Sequence, residues 1–236
     1  MTDDAEVTAR TSGAFGPPDS TRATHPQFED IEQQRDAGIL GIWIFLATEV
    51  MFFGGLFAAY AVYRSTNYLG FQAGSHLLER SFGAVMTFVL LASSFTMAMG
   101  VHAVRTGARK LLIAMLLLTI LLGSIFLAIK FTEYHGKWEE HLVPGLNFHP
   151  SEEQLAGAPG DAVDLFMCFY FFMTGLHAVH MIIGIGVLAV MTIRSWKGTV
   201  SEKNYQQIEV SGLYWHFVDI IWIYLFPLLY LIGGPH

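Results

Sequence analysis

The chain holds a single cysteine, Cys168, among 236 residues. One thiol cannot close an internal disulfide. No Cys-x-x-Cys or Cys/His finger is present to suggest a zinc or iron–sulfur site. Its apolar setting predicts a small packing residue. Charge is scarce as well: 14% of residues are charged, against roughly 25% in soluble domains. A formal net charge of −7 leaves no basic excess, which argues against a nucleic-acid-binding face. No repeat of fixed period is visible. Residues 1–36 contain no long apolar run. They are acidic, rich in Ser, Thr and Gly, and carry Pro17, Pro18 and Pro26. This predicts a disordered polar tail rather than a signal peptide, with membrane insertion left to the first span.

What the chain has in plenty is apolar sequence, 53% of residues. Five segments stand out, at about 38–63, 81–104, 111–130, 165–193 and 211–232. Each reaches or approaches the roughly 20 residues that cross a hydrocarbon core at 1.5 Å per residue. Between them, Tyr68 to Arg80 reads as a short polar connection and Arg105 to Lys110 as a tight basic turn. Glu133 to Asp164 reads as a longer loop with Pro144, Pro150 and Pro159, and Arg194 to Glu209 as a polar loop. The expectation is an all-α integral membrane protein, a five-transmembrane-helix bundle over residues 37–236. Lys and Arg set its orientation. Arg10, Arg22, Arg35, Arg105, Arg109, Lys110, Arg194, Lys197 and Lys203 fall on one side; Arg64, Arg80, Lys130 and Lys137 fall on the other. The richer side should be cytoplasmic, so the N-terminus is cytoplasmic and the C-terminus periplasmic.

A charged group at mid-bilayer costs at least about 2.5–3.5 kcal/mol, so each ionisable residue inside a span needs a reason. Glu49 lies near the middle of the first span. His177 and His180 share a face of the fourth with Thr174 and Gly184, and Glu209, Gly212, His216 and Asp219 form a stripe on the fifth. Three readings fit these residues: paired polar groups bracing the bundle, a proton relay, or haem ligation by His177 or His180 with His216. Glu49 is expected to bond His177 or His180, and His216 and Asp219 to bond the third or fourth span. Lys130, Glu133 and Lys137 sit at i, i+3, i+7, a spacing that predicts interfacial ion pairs with Lys130 reaching the headgroups. Arg194 with Trp196 and Lys197 ends a span with a basic and aromatic cluster suited to a phospholipid headgroup. Gly54, Gly55, Gly184 and Gly186 offer close-packing surfaces for helices.

Several runs resemble one family. Gly212-Leu213-Tyr214-Trp215-His216-Phe217-Val218-Asp219-Ile220-Ile221-Trp222 is similar to the last helix of subunit III of the haem–copper cytochrome oxidases. Thr174-Gly175-Leu176-His177-Ala178-Val179-His180 is similar to the helix before it, and Thr48-Glu49-Val50-Met51-Phe52-Phe53-Gly54 to the first shared helix. Ser93-Ser94 and Glu133-Tyr134 match as well. The resemblance covers about residues 38–232 and is to the five-helix bacterial form, nearer the cytochrome c oxidase type. Lys130 departs from it, standing where many members have Gln.

The resemblance implies a non-redox accessory subunit of a proton-pumping terminal oxidase in the bacterial inner membrane. Haem and copper would sit in partner subunits I and II, with a small subunit IV possible, cytochrome c as electron donor and structural phospholipids in a cleft. It also implies that the chain braces the catalytic subunit and supports proton uptake, and it puts the lipid-binding arginine at Arg194. Two helices of the seven-helix members are missing, and their place would be filled by a partner's helices or by lipid alone. A quinol oxidase or nitric-oxide-reductase-associated homologue is the alternative within the family. An independent proton channel or b-type cytochrome is the alternative outside it.

Overall fold

A computed structural model describes residues 31–198 and 205–231, with side chains from residue 37. The chain divides into two compact units, Met1–Trp43 and Ile44–His236; the described part of the first is the opening of a helix. Among the described residues, five helices are long and apolar enough to cross a membrane: α1 (Ile31–Thr66, the apolar part being Ala37–Thr66), α3 (Arg80–Arg105), α4 (Arg109–Glu139), α6 (Gly160–Trp196) and α7 (Gln206–Tyr230). Between them lie α2 (Tyr68–His76), a two-stranded hairpin of β1 (Leu142–Val143) and β2 (Asn147–Phe148), and the short α5 (Glu152–Leu155). Spans alternate in direction. The α3–α4 turn and the α6–α7 connection therefore share one side, here the turn side. The other, the hairpin side, carries α2, the hairpin and α5.

Local chemistry sets the boundaries. Gly107 and Gly198 take positive φ, 70° and 78°, just past α3 and α6, where a residue without Cβ ends a helix at little cost. Ser151 and Gln154 form a reciprocal capping box on α5. At 31 residues, α4 is about 46 Å long at 1.5 Å per residue, so its end emerges beyond a hydrocarbon core of about 30 Å.

Packing forms a ring in which α3 meets α4, α4 meets α6, α6 meets α7 and α7 meets α3. The interior holds Met86, Leu90, Met97, Phe126, Trp215 and Trp222, all essentially buried. Helix α1 adds to this ring through long side chains. It buries Leu46, Phe53 and Tyr60 at seven-residue intervals. The Tyr60 hydroxyl donates to the Leu228 carbonyl at 2.9 Å, and its ring meets Phe71 at 5.1 Å.

Several expectations change. Tyr68–Arg80 is no simple polar connection: α2 buries Gly70, Phe71, Ala73, Gly74 and Ser75, and packs on α6. The loop placed from Glu133 is shorter, because α4 continues to Glu139 and α6 begins at Gly160. Helix is present from Ile31, inside the segment read as a disordered tail; residues 1–30, Lys203 and Ile232 lie outside the described residues. Cys168 is exposed on α6 rather than packed. An added Cβ on Gly54, Gly55 or Gly186 would meet nothing within 4 Å, whereas Gly184 packs against Trp215 inside the ring.

Candidate functional sites inside the bundle

Glu49 lies about 18 Å along the span from Ala37 at 1.5 Å per residue. Its Oε2 is 3.2 Å from His180 Nε2 on α6. His180 Nδ1 lies 2.8 Å from the Leu176 carbonyl. A carbonyl can only accept, so Nδ1 carries a hydrogen. The Glu49–His180 contact then requires one proton shared between carboxyl and imidazole. Phe53 covers the ring at 5.4 Å, and the Tyr214 hydroxyl donates to the His180 carbonyl at 3.1 Å. The pair is nearly buried, at 15% and 19% side-chain exposure.

His177, one turn away on α6, does not join this pair. It is 1% exposed and lies between the rings of Phe126 (5.5 Å) and Trp222 (5.3 Å). Neither of its nitrogens has a protein hydrogen-bond partner.

On the other flank of α7, His216 Nδ1 and Ser94 Oγ are 2.7 Å apart. Asp219, one turn on, is buried beside Ser94. Ser94 is close enough to act on the carboxyl, but neither carboxyl oxygen is in hydrogen-bonding geometry with a protein group. The expected partners on the third or fourth span are thus replaced by Ser94 on α3, the second span. Ser94 belongs to the Ser93-Ser94 motif, but nothing in its spacing marks it as the partner of His216. Glu209 stands apart from this stripe: it pairs with Arg105 at the turn side, Nε to Oε1 2.9 Å.

The third cluster lies deeper than its spacing predicts. Lys130 is 2% exposed, not reaching for headgroups. Its ammonium donates to Glu133 Oε2 (3.0 Å), the Tyr170 hydroxyl (3.1 Å) and the Tyr230 hydroxyl (2.9 Å). Tyr230 in turn donates to Glu133 Oε1 at 2.7 Å. The rings of Tyr134, Tyr170, Trp222 and Tyr230 surround the ammonium at 4.5–5.5 Å. Lys137 pairs with Glu140 at 2.6 Å, not with Glu133. Tyr170 and Tyr230 lie 40 and 100 residues from Lys130, so no local pattern could have found them.

At the turn side, Arg109 donates through Nε to the Ser195 carbonyl at 2.8 Å and also to the Trp196 carbonyl. This caps the C-terminal end of α6. Arg194 Nη1 donates to Gln207 Oε1 at 2.8 Å, while Trp196 and Lys197 are exposed. As donor sets, these histidines do not fit a haem or metal. His180 Nε2 faces Glu49, His177 lies between Phe126 and Trp222, and among the described residues no three His, Cys, Asp or Glu converge.

The sequence is similar to known proteins along most of its length. The family model described as cytochrome c oxidase subunit III matches residues 32–138 and 157–234. The chain is 32% identical over 206 residues to the quinol oxidase subunit 3 of Bacillus subtilis, covering 86% of this chain and 92% of that one. It is 29% identical over 213 residues to the cytochrome bo(3) ubiquinol oxidase subunit 3 of Pseudomonas aeruginosa, covering 89% and 93%. With the cytochrome c oxidase subunit 3 of Alkalihalophilus pseudofirmus it shares 28% identity over 210 residues, covering 89% and 93%.

Proposed function

Because this chain belongs to the subunit III family of the haem–copper oxidases, we propose that it serves a respiratory terminal oxidase as an accessory subunit without a redox centre of its own. It is a multi-pass inner-membrane protein, and its family works within an enzyme complex. The observation that carries the reading is the family match across all five spans. The chemistry of the buried groups supports it. Glu49 pairs with His180, Lys130 with Glu133 and Glu209 with Arg105, and His177 lies between rings; among the described residues no three such groups converge as ligands. Haem and copper belong to partner subunits I and II, where they supply the electron transfer and oxygen reduction; this chain braces the catalytic subunit.

The Glu49–His180 pair supports proton handling, because it sets a carboxyl against an imidazole inside a span. The Leu176 carbonyl fixes the His180 ring so that its Nε2 faces the Glu49 carboxyl. The turn-side cluster of Arg194, Trp196 and Lys197 holds a phospholipid phosphate, with Gln207 orienting the guanidinium. The side with more Lys and Arg is the cytoplasmic one.

Two donors fit the reading. The motif runs at 48–54 and 212–222 point to cytochrome c, whereas the names of the relatives at 32% and 29% identity point to quinol. Mild-detergent purification of the tagged chain tests the function. A haem-bearing partner should co-purify, and the preparation should consume oxygen with either reduced cytochrome c or a quinol. A chain that purifies without haem absorbance from respiring membranes would overturn the oxidase reading. The preferred donor decides between the two forms.

A further inference from the structure

An imidazole needs hydrogen-bond partners in every protonation state. When neutral, one nitrogen donates and the other accepts, whichever tautomer is present; when protonated, both donate. Inside a bilayer, acyl chains cannot meet that demand. His177 lies about 26 Å along α6 from Gly160. It is 1% exposed, and neither nitrogen has a protein partner among the described residues. Its neighbours are committed elsewhere. Trp222 Nε1 donates to Thr87 Oγ at 3.1 Å. Lys130, whose ammonium lies 5.3 Å from the same indole, spends its three hydrogens on Glu133, Tyr170 and Tyr230. His180 Nε2 faces Glu49. Thr174 is different. It is fully buried and shares a face of α6 with His177, one turn away. Its hydroxyl gives its one hydrogen to the Tyr170 carbonyl at 2.6 Å. In its 2.6 Å contact with the Tyr134 hydroxyl it therefore accepts. A hydroxyl oxygen accepts twice, so one lone pair remains.

We propose that His177 anchors an internal water-binding site, in which one water bridges an imidazole nitrogen and the Thr174 hydroxyl oxygen beside the rings of Phe126 and Trp222. Side chains three apart on a helix face stand about 5–6 Å apart at Cβ. Two hydrogen bonds of about 2.8 Å through one water span the same distance. Water suits the imidazole whatever protons it holds, because water both donates and accepts. Leaving both nitrogens unmet costs more than ordering one water molecule. Other occupants fit less well. Among the described residues no three His, Cys, Asp or Glu converge to hold a metal ion, and at 1% exposure the ring is out of reach of a partner's side chain. The site is continuous with the hairpin side. Tyr134 is half-buried and lies about 38 Å along α4 from Arg109, past a hydrocarbon core of about 30 Å. The thread from Tyr134 through Thr174 and the water to His177 thus runs inward from that surface and ends one turn from His180. It stands on these residues alone, whatever the fate of the oxidase reading.

Radiolytic labelling of the tagged chain, purified from native membranes with whatever accompanies it, tests this. In heavy-oxygen water, hydroxyl radicals formed from a bound water oxidise the ring beside it. Phe126 and Phe166 are both fully buried, so bulk solvent treats them alike. Phe126 should take up heavy oxygen at least fivefold faster than Phe166. Equal uptake would overturn the site. In His177→Leu the excess at Phe126 should fall to parity, and in Thr174→Val it should fall at least twofold; an excess unchanged in both variants would refute the proposal as well. If neither variant accumulates, the wild-type ratio decides. A cryo-microscopy map of the same preparation, fine enough to show waters, gives the direct view. It should show density within about 3.2 Å of a His177 nitrogen and of Thr174 Oγ. A protein group bonded to each His177 nitrogen would leave no place for the water and end the idea.

Discussion

Trp215 is held by what its neighbours lack. A Cβ on Gly123 of α4 would stand 2.8 Å from its Cη2, and one on Gly184 of α6 would stand 3.0 Å from its Cζ3. The indole is therefore clamped between two bare backbones, while its N–H donates to Ser93 Oγ at 3.1 Å. Gly123→Ala must push the ring aside or open the α4–α7 spacing, at about 1–3 kcal/mol for an overfilled core. The expected outcome is a lower thermal midpoint of the purified complex; an unchanged midpoint would show that the ring moves freely. The sequence displayed Trp215 and Gly184 but not their meeting, since Gly123 and Trp215 are far apart in the chain and no periodicity links them. The same holds for His180. Its spacing from His177 put both on one face, yet only the position of α1 decides that Glu49 reaches one and not the other.

At the level of helices, Lys130 and Glu133 act as a fastener. They sit on α4, and their partners Tyr170 and Tyr230 come from α6 and α7. All three ammonium hydrogens are used. Removing one charge leaves the other buried and alone, which costs about 3–5 kcal/mol, whereas replacing both with apolar groups of similar volume is often near neutral. Lys130→Met and Glu133→Leu should each lower stability strongly, and the double variant should recover most of the loss. Unfolding of the complex in mixed detergent micelles would measure the cycle; additive losses would refute the fastener. The sequence carried the i, i+3 pairing, but not its depth. A lysine about 31 Å along its helix could equally reach headgroups, and only the tyrosines of two distant helices turn it inward. Helix α2 escaped for a related reason. Nine residues cannot span, and its glycines and serine look like a loop until Ala162 and Phe166 of α6 fill the space above Gly70 and Gly74.

For the molecule as a whole, the five spans were legible because bilayer thickness fixes helix length and forbids charge, and both can be read along a line of text. The side assignment has its own test. In a Cys168→Ala background, Gly107→Cys on the turn side should resist a membrane-impermeant maleimide in intact cells and react after lysis. Gly145→Cys on the hairpin side should react in intact cells. The opposite pattern would reverse the orientation. A further property follows from where the five tryptophans sit. Trp43, Trp138 and Trp196 are exposed, while Trp215 and Trp222 are fully buried in the ring. The fluorescence of this chain should therefore split into two populations. Brominated lipids should quench the outer three indoles and leave a residual emission from the inner pair. Trp215→Phe with Trp222→Phe should abolish that residue; quenching to zero in the wild type would show that lipid reaches the core. If the residue persists, the ring reports its own integrity by light, with no label attached.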